Sequence, residues 1–174
     1  MRYRLDVVAA SVPEVVKYAG GWLVDRVMAG WDVTVLIDSA EDLRPLEILG
    51  VQIQDLETAL TMWADRPHPQ TVAVAADLFA SDARVRQGVL NALEHGMTEV
   101  TLWGDCWPEE LDTTVGSVQH QLSAAARAFK ARALLAIGCA EPVDPIETFR
   151  GRTASLLADY SDLTPSVARS LAQR

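Results

Sequence analysis

Six side chains gather most of the chemistry this sequence offers: Asp38, Asp77 and Asp105, each closing a run of β-branched and small apolar residues, with Trp103, Cys106 and Trp107 around the last of them. The runs are Val33-Thr34-Val35-Leu36-Ile37, Val72-Ala73-Val74-Ala75-Ala76 and Val100-Thr101-Leu102-Trp103-Gly104. As strands of a parallel sheet they open onto one carboxyl edge, where open α/β proteins place their binding crevices. Three carboxylates there would suit Mg²⁺, a hard cation that favours oxygen ligands and keeps several waters. The same aspartates also suit turns and helix caps, the commoner use of Asp after a strand. Trp103 and Trp107 would make a stacking wall for a flat ligand or an anchor at an interface. Asp105 disfavours a thiolate at Cys106, so Cys106 enters the set as polar lining, and Cys106 and Cys139 read as inert, reduced thiols.

The signatures of phosphate binding are missing from the first turn, Ala9-Ala10-Ser11-Val12-Pro13-Glu14. Glycines that would let the backbone wrap a phosphate are absent, Pro13 removes an amide donor and Glu14 repels an anion. His68, His95 and His120 stand in no catalytic frame and read as surface or capping residues. Gly20-Gly21 inside a helical pattern costs about 1 kcal/mol per glycine relative to alanine, which points to close packing or a kink.

The elements that must position these residues alternate as βα units. Strands are expected at Arg4–Ala9, Trp31–Ile37, Thr71–Ala76, Glu99–Trp103 and Leu134–Gly138, with a brief sixth at Val51–Ile53. Ser11-Val12-Pro13-Glu14 spells a capping box for a helix running to Ala29 and stopped by Gly30. Further helices are expected over Asp42–Leu49, Asp55–Ala64, from Ser81 or Asp82 to Gly96, and along the stripe Val115, Val118, Leu122, Ala126 and Phe129. Past Cys139 the alternation stops. Asp144-Pro145 with Glu147 reads as a helix start, Ile146, Phe149, Leu156 and Tyr160 as its apolar face, and Thr164-Pro165 as the start of a last short helix. The expected fold is a three-layer Rossmann-like or flavodoxin-like α/β domain of five to six mostly parallel strands over residues 1–140, with a helical extension over 141–174 packed on it.

At 174 residues, 49% hydrophobic and 22% charged, the chain has material for one core. A net charge of −9 argues against a nucleic-acid surface, and no apolar run reaches the roughly 20 residues of a membrane span, so a cytoplasmic protein is expected. Without a complete catalytic frame, the leading expectation is a non-catalytic regulatory or interaction module that binds a protein partner or a second copy through the C-terminal helices. The rival is a small-molecule or nucleotide-binding enzyme that uses the acidic strand-end crevice, with Mg²⁺ as its sharpest form. The sequence names no other cofactor and no substrate.

Overall fold

β1 (Arg4–Val8) gives way to α1 (Val12–Met28) at Ser11, whose extended backbone and side-chain oxygen, accepting the Glu14 amide, start the helix with Pro13 in its first turn. The computed structural model describes residues 2–38, 42–105, 108–111, 116–152 and 161–166. β2 (Asp32–Ile37), α2 (Arg44–Leu49), β3 (Gln52–Asp55) and the six-residue α3 (Leu56–Thr61) follow. After a 3₁₀ turn at Trp63–Asp65 come β4 (Thr71–Ala75), α4 (Ala76–Ser81), α5 (Ala83–His95) and β5 (Glu99–Trp103). Asp82 caps α5 by accepting the amides of Arg84 and Val85. Gly30, Gly50 and Gly96 end α1, α2 and α5 at φ values of +86°, +79° and +65°, the left-handed stops their positions require. Among the described residues no helix is long and apolar enough to cross a membrane.

The remaining elements depart from expectation. They are β6 (Gly116–Gln121), α6 (Ala124–Ala136), β7 (Ile146–Arg152) and β8 (Thr164–Pro165). The helix expected along Val118 and Leu122 is therefore a strand followed by a helix capped by Ser123, and Leu134, expected in a strand, lies in α6. Ala133-Leu134-Leu135-Ala136 are strong helix formers and simply extend the helix to its stop near Gly138. Ile146–Arg152, expected as the first turns of a helical extension, is a strand within the sheet, and Thr164-Pro165 pairs with β6 at the sheet's edge. The helical stripe at Leu156 and Tyr160 lies outside the described residues.

All eight strands form one sheet in the order β3-β2-β1-β4-β5-β7-β6-β8. The run β3-β2-β1-β4-β5 is parallel, and the three pairings β5-β7, β7-β6 and β6-β8 are antiparallel, so the sheet is mixed and larger than the expected five to six strands. Two apolar cores sandwich it. One gathers Val15, Trp22, Leu23, Leu46 and Ala126 from the helices over Val7, Val35 and Ala73. The other places Leu56, Phe79, Val85 and Val89 against Val8, Val72, Val74 and Leu102.

Gly151 is the residue that lets β7 lie against β5. A Cβ built there would stand 2.8 Å from the Val100 carbonyl oxygen and 3.4 Å from Thr101 Oγ1 and Val118 Cγ2. Because the nearest obstacle is backbone, Gly151→Ala is expected to destabilise the fold by about 1–3 kcal/mol, read from the urea midpoint.

Two buried ion clusters tie the antiparallel half to α1. Glu147 of β7 accepts the amides of Gly21 and Trp22, each at 2.8 Å, and Lys130 Nζ at 2.7 Å. Lys130 also donates to the Lys17 carbonyl oxygen at 2.7 Å. A Cβ at Gly21 would meet the Leu122 side chain at 2.4 Å, so any larger residue there would displace Leu122. At the opposite end of α1, Arg26 lies between Glu99 at 3.3 Å and Asp162 at 2.7 Å, with its guanidinium 4.0 Å from the Trp31 ring centre and 5.4 Å from that of Trp22.

Candidate functional site

The strand order reverses between β1 and β4: from β1 the chain builds outward through β2 and β3, then returns to lay β4 and β5 on the other side. The loops leaving β1 and β4 therefore diverge to opposite faces and leave a crevice at the carboxyl edge. Its walls are the start of α1 on one side and the start of α4 with the end of β5 on the other.

Glu14 projects into this region from the first turn of α1. Its Oε1 accepts the indole N–H of Trp103 at 3.2 Å, and the backbone amide of Ala10 also donates to its carboxyl. Half-buried here, the carboxyl is pushed above the usual carboxylate range, chiefly by loss of water and further by the charge of Asp77, against the pull of the Trp103 and Ala10 donors. One turn along α1, Tyr18 donates its hydroxyl proton to Asp105 Oδ1 at 3.1 Å. Burial, that hydrogen bond and the charges of Asp105, Glu14 and Asp77 together raise the phenol above its ordinary value. Three acids and a phenol from α1, α4 and the end of β5 thus share one field.

A cavity of about 400 Å³ adjoins this cluster, lined by Tyr18, Trp103, Gly104 and Asp105 on one side and by Ser117, Thr148 and Arg150 of the antiparallel strands on the other. Gly104 is fixed at φ +133°, a backbone conformation open to glycine, and an added Cβ would press on the Ala76 Cβ at 3.3 Å. That turn brings Asp105 over Tyr18.

The structure thus brings Asp77, Trp103 and Asp105 together around Glu14. Asp38 stands exposed at the end of β2, across β1 from β4. Cys106 and Trp107 lie outside the described residues. Trp103 is buried in the core rather than laid open as a stacking wall, and it turns its N–H toward the site. Cys139 follows α6 instead of a strand. Sequence reasoning missed Glu14 and Tyr18 as site residues, because Glu14 explains itself as a helix cap. The available signal was their spacing of four on a helix that starts directly after the first strand, which puts both on one face at the carboxyl edge.

Among the described residues no three His, Cys, Asp or Glu side chains come together as a metal-ion donor set. Of the acids here, Glu14 is met by the Trp103 donor and Asp105 by the Tyr18 donor. Pro13 and Glu14 at the α1 start disfavour a phosphate.

No protein-family model matches the chain, and no curated protein matches it in sequence. Solved structures share its fold. The A40926 pseudoaglycone deacetylase Dbv21 superposes with a TM-score of 0.60 at 14% identity, over 89% of this chain and 99% of that one. A deacetylase of the teicoplanin biosynthesis pathway, in complex with teicoplanin, gives a TM-score of 0.59 at 12% identity, over 87% and 99%. GalB, the 4-carboxy-2-hydroxymuconate hydratase of Pseudomonas putida KT2440, gives 0.53 at 14% identity, over 98% and 100%. At these identities the likeness is one of fold, and each of these neighbours is an enzyme. The expectation of a non-catalytic interaction module is corrected on that finding.

Proposed function

We propose that the chain is an enzyme that activates water against an electrophilic carbon of a small substrate in the crevice between β1 and β4, with Glu14 as general base. The observation that carries the reading is the Glu14 carboxyl itself. It is half-buried at the topological switch point, raised above the ordinary carboxylate value by lost hydration, and oriented by the Trp103 indole. The fold neighbours support the reaction class. Deacetylation puts water onto an acyl carbon and hydration adds water across a carbon–carbon double bond, and both ask a base to take a proton from that water.

In the step proposed, the Glu14 carboxylate removes a proton from water as the oxygen bonds to the substrate carbon. The proton then held on Glu14 passes to the leaving nitrogen of an amide, or to the neighbouring carbon of the former double bond. Asp77 strengthens Glu14 as a base by penalising its ionised form. The cavity beside Asp105 takes the polar remainder of the substrate, with Ser117 and Thr148 hydroxyls and the Arg150 guanidinium as its polar surface.

A panel of N-acylated amines, followed by amine release, and of α,β-unsaturated carboxylates, followed by absorbance, tests this. Glu14→Gln keeps an acceptor for Trp103 and is expected to lower kcat about 100-fold while leaving the melting temperature nearly unchanged. The wild-type rate should rise with pH through a Glu14 pKa above the ordinary carboxylate value, because only the ionised form can accept the proton. An unchanged rate in Glu14→Gln removes the base assignment, and no turnover of either substrate class removes the reaction class.

A further inference from the structure

The sheet face opposite α1 is incompletely covered. α3 has only six residues, and Arg66-Pro67-His68-Pro69 then turns the chain back to β4, since a proline disfavours helix at the residue before it. Between this segment and α5 lies a cavity of about 880 Å³, within the roughly 300–1,000 Å³ of small-molecule sites. Its floor is Val8, Val72 and Val74, its walls Leu60 and Trp63 on one side and Val85 and Val89 on the other.

The deep end is polar and carries an unbalanced positive charge. Asp6, buried on β1, accepts Arg4 Nε at 3.1 Å on one oxygen and Arg66 on the other at 3.0 Å. One carboxylate thus serves two guanidiniums. The Arg66 side chain is 9% exposed, it also donates to Gln54, and its Nε is buried with no acceptor. Among the described lining residues Asp6 is the only acid; Arg66, His68 and His95 border the space, while Arg84 at the other end is already paired with Glu57 and Asp82. A surplus cation at one end of an apolar trough, in a chain of net charge −9, is the complement of an anionic amphiphile.

Gly88 widens the trough. It sits on the α5 stripe between Val85 and Val89, and an added Cβ would meet nothing within 4 Å. Its φ is not positive, so the backbone does not call for glycine, and its presence costs α5 about 1 kcal/mol relative to alanine. What it supplies is open space above the valines.

We infer that this trough is a second ligand site, separate from the Glu14 crevice, which binds a long-chain monocarboxylate with its tail along Leu60, Trp63, Gly88 and Ala92 and its head toward Arg66. Titration calorimetry with dodecanoate below its micelle concentration, against dodecyltrimethylammonium, tests it. The wild type should bind one dodecanoate per chain and bind the ammonium at least about tenfold more weakly. Gly88→Phe, which fills the trough, should weaken dodecanoate at least about tenfold, whereas Gly88→Ala should bind as the wild type does. On the wild-type protein, dodecanoate should shift the methyl resonances of Leu60 and Ala92, a readout that needs no variant. Equal binding of the two amphiphiles, equal binding by Gly88→Phe, or shifts confined to other methyls would overturn the inference. So would light scattering that finds a wild-type dimer broken by Gly88→Phe, which would give the trough to a second copy of the chain. The Glu14→Gln assay does not touch this site, so the two proposals fail independently.

Discussion

Glu147→Ala lowers the unfolding free energy by about 3–5 kcal/mol, the range for removing one partner of a buried ion pair. The loss has two parts. The Lys130 ammonium stays buried with the Lys17 carbonyl as its remaining described acceptor, and the amides of Gly21 and Trp22 lose the carboxylate that receives them. The Glu147 carboxyl is pushed up by loss of water, against the opposing pull of Lys130 and those two amides, and the Ala variant removes the acceptor that all three share. Urea unfolding should show a lower midpoint at unchanged slope. Removing both charges, as in Lys130→Met with Glu147→Gln, should recover most of the stability, because glutamine still accepts an amide hydrogen and no buried charge is left. A double variant as unstable as Glu147→Ala would place the effect in packing rather than charge.

Arg26→Met is expected to cost a similar 3–5 kcal/mol at neutral pH, since it keeps an apolar body between Trp22 and Trp31 but leaves the buried Glu99 without its cation. Here the pH dependence discriminates. Burial raises Glu99, with Asp162 adding to it, while Ser161, Arg26 and Thr71 pull the other way. In the variant the Arg26 pull is gone, and the folded-state pKa of Glu99 rises further above its unfolded value. The folded state then binds more protons than the unfolded state across the window between those two values, so stability falls as pH rises through it. The penalty should therefore shrink as the pH is lowered from neutrality toward the ordinary glutamate range. A penalty flat across that window would show that Glu99 is not the group left stranded.

The parallel half of the fold was legible because each element there announces itself locally. Ser11 with Pro13, Asp82, and the stops at Gly30, Gly50 and Gly96 are all readable within one turn of chain, and β4 is a continuous apolar run as a strand buried on both faces should be. The antiparallel half was not, for a reason visible in β7. Its inward residues are Glu147, Phe149 and Gly151. Glu147 is inward because Lys130 and α1 amides receive it, and Gly151 because the Val100 carbonyl stands too close for a side chain. Two of the three inward positions are therefore not apolar, and hydropathy cannot show the alternation. Ile146 and Phe149, three apart, imitate a helix instead. β6 hides in the same way, with Val118 and His120 facing inward, Gln119 between them and Gln121 after. Of the site, the carboxyl edge was readable from the strand-ending aspartates. The role of Glu14 was not, since it depends on Trp103, 89 residues away, reaching back to meet it.

The placement of β7 between β5 and β6 also sets an order of events on the ribosome. Residues 116–121 leave the exit tunnel before 146–152, yet β6 joins the sheet only through β7 and β8. Until β7 arrives, the parallel half ends at β5, a fully buried strand in the finished molecule whose outer edge is then an open row of backbone donors and acceptors. The growing chain thus passes through an interval in which the β5 edge is uncapped while β6 waits for β7, and the pairing of β7 with both closes it.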